Sequence, residues 1–269
     1  MIDPQLRNRS VLITGANNPL GIGAATALAF AEVGARPFLH YHRAPAGQER
    51  SPAVAGVSEA EPSEALLRAQ QEKNCDAVIV RIHALGVAAA SYEADFNDLA
   101  SVERVFDAAE EACGPIEILI NNAAAWSADT FVPAEQPGRN PFLELWTDAA
   151  LPIAEATLQQ FAVNTFAPAL LMREFARRHV ARSASWGRIV NISTEGAECF
   201  PGEASYGASK NALESYSRSA ALELGQFGIT VNVLSLGPIQ TGWITPALEQ
   251  PLVAATPLGR LGTPRDVAM

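Results

Sequence analysis

Tyr206 and Lys210 stand four residues apart in YGASK, and Ser193 lies thirteen residues upstream of the tyrosine, at the end of the apolar run GRIVNIS. On a helix, residues i and i+4 share one face, so the phenol and the ammonium project into the same space. A neighbouring cation favours the phenolate and lowers the tyrosine pKa, which suits a group that moves protons near neutrality. The tyrosine–lysine pair alone is equally compatible with a solvated helix, and a serine at a strand end is often only a cap. Three further signals, in a fixed order along the chain, separate these readings.

The first is Ser10–Thr14 (SVLIT), a buried strand by composition, followed by Gly15, Gly21, Ile22 and Gly23 and the apolar helix AATALAFAEVGA. A strand, a glycine turn and a helix make the first half of a dinucleotide-binding unit: glycines admit a pyrophosphate close to the backbone, and the helix N-terminus offers free N–H groups. The second is ILINNAA, in which a strand ends in Asn121 and Asn122 and can be tied to its neighbour there. The third is Asn164 in FAVNTFAPALL, a polar residue inside an apolar helical pattern.

Taken in order, TGANNPLGIG, NNAA, Asn164, Ser193, YGASK and LGPIQTG resemble the short-chain dehydrogenase/reductase family from about Ser10 to the last residue. Within it the chain is similar to the 3-oxoacyl-carrier-protein reductases and related NADP-dependent carbonyl reductases. The resemblance implies an α/β fold, a Rossmann-type doubly wound parallel sheet in the order 3-2-1-4-5-6, with a nicotinamide cofactor at the carboxyl ends of the strands. It also implies roles. Tyr206 gives a proton to a carbonyl oxygen, or removes one from an alcohol; Lys210 lowers the tyrosine pKa and bonds the nicotinamide ribose; Ser193, preferred to Thr194 on its spacing, holds the carbonyl oxygen; Asn164 supports a proton-relaying water. Gly15, Asn17, Gly21, Ile22, Gly23 and Asn122 frame the cofactor, Asp95 with Phe96 meets the adenine, and Ile239 and Thr241 meet the nicotinamide amide.

Cofactor choice turns on the end of the second strand, PFLHYHRA. An acid there accepts the ribose hydroxyls of NAD and repels a 2′-phosphate. Here Tyr41, His42 and Arg43 stand instead, with no carboxylate before Glu49. A guanidinium fork suits phosphate, so NADP is expected, with NAD as the alternative.

The family's glycine turn has three residues between its first two glycines, and this one has five, Ala16–Leu20, stiffened by Pro19. Strands are expected at about 10–14, 37–41, 87–93, 116–121, 187–193 and 229–236, and helices at about 21–33, 63–85, 101–113, 153–182 and 205–226. Two stretches without helical or alternating period, 44–62 and 126–152, read as long loops; the second carries Trp126, Phe131, Phe142 and Trp146 and either packs on its own core or meets substrate. TPRDVA reads as a helix start, with Thr263 as N-cap, Pro264 first and Asp266 in the first turn. The family continues into a seventh strand, so the chain reads as one domain, 1–269, that is C-terminally incomplete.

A chain of 269 residues with 48% hydrophobic and 18% charged residues can bury a full core. A net charge of −10 argues against nucleic acid and anionic membranes as partners. Three cysteines without CxxC spacing give no disulfide framework and no metal site. With no signal-like N-terminus and no apolar span, the expectation is a cytoplasmic homodimer or homotetramer acting on a small carbonyl or alcohol substrate, a 3-oxoacyl thioester among them. The alternatives are an NAD-dependent alcohol or sugar dehydrogenase and a catalytically silent cofactor-binding protein.

Overall fold

Five consecutive residues that are almost wholly apolar or β-branched leave β1, Ser10–Thr14, buried along its whole length, as a central parallel strand requires. The structure, a computed structural model, describes residues 4–43, 61–133 and 151–269. From β1 the chain runs through α1 (Ile22–Glu32), β2 (Arg36–Tyr41), α2 (Glu64–Gln71), α3 (Asp76–Ala84), β3 (Ala90–Glu93), α4 (Ser101–Cys113) and β4 (Ile118–Asn121). It continues through β5 (Asp129–Thr130), β6 (Leu151–Pro152), α5 (Ile153–Phe161), α6 (Ala167–Ala181), β7 (Gly187–Thr194), α7 (Ala204–Leu224), β8 (Ile229–Leu236), α8 (Pro246–Ala255) and α9 (Pro264–Ala268). The principal sheet has six strands in the order β3-β2-β1-β4-β7-β8, the doubly wound order expected from the sequence. β1 pairs in parallel with β2 and β4, with Leu12 opposite Phe38 and Leu119, and β7 pairs in parallel with β8, with Ile192 opposite Leu234.

Contacts group the chain into two compact units, Met1–Asp95 with Arg104–Asn122 and Gly237–Met269, and Phe96–Glu103 with Ala123–Leu236. In the first, Leu12, Ile13, Phe38, Leu39 and Leu119 are fully buried, each contributing roughly 1.5–3 kcal/mol by withdrawing its apolar surface from water. Helix α1 turns Ala24, Ala27 and Ala31 inward, small residues that let a helix lie close to its sheet. In the second unit Leu171, Phe175, Ile189 and Leu213 play the same part.

Most expected elements are present, and the differences have local causes. The helix expected over 63–85 is two helices, because Asn17 draws the carbonyls of Gln71 and Lys73 onto its amide, both at 2.9 Å, and Asn74 then caps a new helix at Asp76 N–H, at 3.1 Å. The helix expected over 153–182 is interrupted by a π-helical turn at Ala162–Phe166, which carries the buried Asn164. Helix α9 starts as expected, with Thr263 and Asp266 bonding each other's backbone N–H in a capping box. The expected loop over 126–152 carries β5 near its start and β6 at its end, and the two pair in parallel with Asp129 opposite Leu151. Residues 44–60, most of the other expected loop, and 134–150, with Phe142 and Trp146, lie outside the described residues.

Candidate functional site

In the first unit the backbone itself builds a cradle. Gly15 ends β1 with φ +69°, a left-handed conformation that glycine takes without strain. Gly23 lies so close to it that a Cβ there would stand 2.4 Å from the Gly15 carbonyl oxygen and 2.8 Å from Asn122 Nδ2. Between them the longer turn is self-braced: Asn18 accepts from Leu20 N–H at 2.9 Å and gives its amide to the Thr241 carbonyl at 3.3 Å. Asn122 crosses from the end of β4, its amide on the Thr14 and Gly15 carbonyls at 2.9 Å each and its N–H on Thr14 Oγ1 at 3.0 Å. Helix α1 begins at Gly21 with no side-chain cap and no acid in its first turn. Its first N–H groups, Ile22 and Gly23 among them, and its positive dipole end are thereby left for an anion, which fits a dinucleotide pyrophosphate. Asn17 takes a different part from the one expected. Its amide donors are spent on the end of helix α2, so the side chain braces the turn from behind.

At the end of β2, His40 is buried and bonds the Ala94 carbonyl at 2.9 Å through Nε2; burial drops its pKa to about 4 and keeps the ring neutral. Tyr41 is half-buried, and burial, then the Glu93 carboxylate, raises its phenol. Arg43, expected to be open to a phosphate, instead forks onto Glu93 at the end of β3, with Nε at 2.9 and 3.0 Å and Nη2 at 2.6 Å. His42 lies 3.9 Å from Asp95. Ile239 bridges to Gly262 and Thr241 is half-buried, both held in the segment after β8.

In the second unit the polar groups are buried and committed to one another. Lys210 is 2% exposed, its ammonium donates to the Ile192 carbonyl at 2.9 Å, and it lies 5.8 Å from the centre of the Tyr206 ring. Burial pulls this ammonium down to about 8. The phenol does not follow the expectation of a lowered pKa: burial, then the Glu203 carboxylate, push Tyr206 up to about 12. The physical reason is that the buried ammonium is anchored on a backbone carbonyl, while the phenol has lost water and gained an acid one helical turn away. Asn164, fully buried, accepts from Ala125 N–H and donates to the Ala125 carbonyl, both at 2.8 Å, and also donates to Ser209 Oγ at 3.0 Å. Ser209 in turn donates to the Tyr206 carbonyl at 2.7 Å, so Asn164 reaches the tyrosine's backbone through one hydroxyl.

Ser193 is 3% exposed and gives its hydroxyl proton to Glu214 Oε1 at 2.7 Å. Thr194, next along and half-buried, accepts from Gly196 N–H at 3.3 Å. Gly196 is packed against the tyrosine's neighbour, since a Cβ on Gly207 would stand 2.8 Å from the Gly196 carbonyl oxygen. Phe200 leans on the Tyr206 ring at 6.2 Å. Phe96 is buried at 3% exposure in this unit. Sequence reasoning missed the acids around these residues. Asp129 is fully buried and accepts Ser205 N–H with both carboxylate oxygens at 3.1 Å, and Glu203 accepts the Trp126 indole N–H. Glu93 and Glu203 do stand within three residues of singled-out positions, but nothing in the chain shows which way an acid points.

A glycine cradle under a helix N-terminus on a doubly wound sheet, with a tyrosine and a buried lysine on the helix after β7, defines an NAD(P)-dependent oxidoreductase of the Rossmann type. Relatives agree. The family model described as "Enoyl-(Acyl carrier protein) reductase" matches residues 53–269. A "Short-chain type dehydrogenase/reductase" of Picea abies is 31% identical over 98% of this chain and 84% of its own length. An "NADPH-dependent aldehyde reductase-like protein, chloroplastic" of Arabidopsis thaliana is 30% identical over 97% and 85%. A solved short-chain type dehydrogenase/reductase of Mycobacterium marinum superposes with TM-score 0.69 at 23% identity, over 98% of this chain and 85% of that one, and supports the fold. The chain belongs to the short-chain dehydrogenase/reductase family.

Proposed function

We propose that this protein is an NADP(H)-dependent carbonyl reductase, with 3-oxoacyl thioesters among its candidate substrates. The observation that carries the reading is Lys210, an ammonium buried to 2% exposure and anchored beside the Tyr206 ring, an arrangement that costs desolvation. A nicotinamide cofactor, when bound, supplies the hydride. Tyr206, protonated throughout the neutral range, donates the proton to the carbonyl oxygen as negative charge develops there. Lys210 holds positive charge behind the phenol below its pKa of about 8 and loses it above. Asn164 fixes the segment around Ala125 against the helix that carries both.

Gly15, Gly21, Ile22, Gly23 and Asn122 form the pyrophosphate cradle, Tyr41, His42, Asp95 and Phe96 are the adenosine-side residues, and Ile239 and Thr241 the nicotinamide-side residues. Arg43 is the residue for a 2′-phosphate, with Glu93 as the competitor it must leave. The name of the Arabidopsis relative supports NADPH, and the description of the matching family model supports an acyl-carrier substrate. A cytoplasmic homodimer or homotetramer belongs to the same reading. Initial rates with NADPH and NADH on a panel of ketones, aldehydes and 3-oxoacyl thioesters test it. A strong NADH preference overturns the cofactor assignment, turnover confined to polyols favours a sugar dehydrogenase, and cofactor binding without turnover favours a silent binder.

One observation favours a second assignment within this mechanism. The Ser193 proton is engaged with Glu214, so the hydroxyl free to bond a substrate oxygen is that of Thr194, whose capping role uses only its acceptor side. Thr194→Val lowering kcat at least tenfold more than Ser193→Ala would select Thr194, and the reverse order would restore Ser193.

A further inference from the structure

Glu203 is the N-cap residue of α7, and its side chain makes no capping bond. Asp129 performs that task on Ser205 from outside the helix. Glu203 is 9% exposed, and among the described residues its side chain's partner is the indole N–H of Trp126, accepted by Oε2. A buried acid with a single neutral donor and no capping duty costs the fold stability, so a role in recognition is the physical account of its presence. Trp126 is 44% exposed: its ring is pinned at the nitrogen while part of its surface stays open.

We propose that Glu203 and Trp126 form a positioning pair that holds the indole as an apolar wall one helical turn ahead of Tyr206, selecting carbonyl substrates that carry a flat apolar or aromatic group. The proposal rests on the carbonyl-reductase reading and gives it a substrate class. Phe200, leaning on the Tyr206 ring, supplies a second aromatic surface. Aromatic surfaces bind flat apolar groups by area and ring geometry, whereas a polyol would leave its hydroxyls there without partners.

The pair is also expected to respond to pH. Burial, with Asp129 adding to it, raises the Glu203 carboxyl to about 7 against the opposing pull of the Trp126 bond. The groups facing it are the Trp126 N–H and the Asp129 carboxylate from the post-β4 segment, and Tyr206 on its own helix. Above pH 7 a carboxylate accepts the indole in a charge-assisted bond, and below it a neutral acid accepts more weakly.

The test uses the full chain with NADP+ present, so that no reduction occurs. Trp126 emission, isolated as the parent minus Trp126→Phe difference, is followed from pH 5.5 to 8.5, and acetophenone and acetone binding are measured by calorimetry. The parent is expected to titrate near neutrality, with the titration lost in Glu203→Gln. Trp126→Phe, conservative at a half-exposed position, is expected to weaken acetophenone about tenfold and leave acetone unchanged. A flat emission profile in the parent, or equal acetophenone binding in parent and Trp126→Phe, overturns the proposal. A protein that binds acetophenone through Trp126 yet reduces no carbonyl with NADPH keeps the pair and sinks the reductase reading instead.

Discussion

Arg43 and Lys210 are the two cations that the sequence singled out, and they live by different rules. Arg43 is half exposed, and its fork on Glu93 is a surface pair that water and salt weaken and a ligand phosphate can replace. Lys210 is buried to 2% exposure, and its carbonyl partner belongs to β7, so its position is set by the packing of α7 on that strand. The first unit thus presents backbone and re-partnerable side chains, while the second presents side chains locked in place, as the proposed division between cofactor binding and proton transfer requires. Recognition of a large cofactor tolerates adjustment, whereas proton transfer depends on fixed distances.

The strongest way to break this contrast is Tyr206→Phe. Carbonyl reduction is expected to fall by roughly 10²- to 10⁴-fold in kcat, with NADPH affinity measured by fluorescence titration unchanged. A parent-like rate would remove the tyrosine from the mechanism. Next comes Asn164→Ala, which takes their partner from the half-buried Ala125 N–H and carbonyl and from the buried Ser209 hydroxyl. Chemical denaturation is expected to show a loss of about 2–4 kcal/mol, and a loss under about 0.5 kcal/mol would mean the locked network is not locked.

Glu203→Gln sharpens the electrostatic side. The folded carboxyl is raised from 4.5 to about 7, so the native state holds its proton where the unfolded state has released it, and stability falls as pH rises from about 4.5 to 7. The glutamine variant escapes that loss. It is expected to be more stable than the parent by about 1–3 kcal/mol at pH 8 and indistinguishable at pH 4, as thermal melts at the two values would show. The smallest effect is expected on the nucleotide side: Glu93→Gln releases Arg43 and should lower KM for NADPH about two- to fivefold without moving KM for NADH. An unchanged ratio would mean that Arg43 does not meet a 2′-phosphate.

Much of the architecture was readable from the chain alone. SVLIT, with an unbroken run of residues that suit a doubly covered strand, reads as central, while ITVNVLSL, alternating buried and exposed residues over its first half, is the edge strand β8. Helix α7 was expected around the i, i+4 pair Tyr206 and Lys210, and α9 from the start signals Thr263, Pro264 and Asp266, which the structure closes into a capping box. These are local signals, each decided by neighbours a few positions away in the chain. The π-turn at Asn164 and the break between α2 and α3 were not readable, and at each a side chain bonds a backbone group tens of residues distant: Asn164 to Ala125, Asn17 to Gln71 and Lys73.

The same division runs through the site. Residue type and spacing alone determined that a phenol and an ammonium share one helix face, that glycines open the turn before α1, and that a guanidinium rather than an acid follows β2. Only the tertiary structure decided which partner each of them keeps: Glu214 for Ser193, Glu93 for Arg43, a carbonyl for Lys210, and a tryptophan for the acid that raises the Tyr206 pKa. Charge and hydrogen-bond potential are properties of a residue and can be read one letter at a time. Their direction and solvation are set by whatever the fold packs against them, and in this protein those neighbours come from distant stretches of the chain.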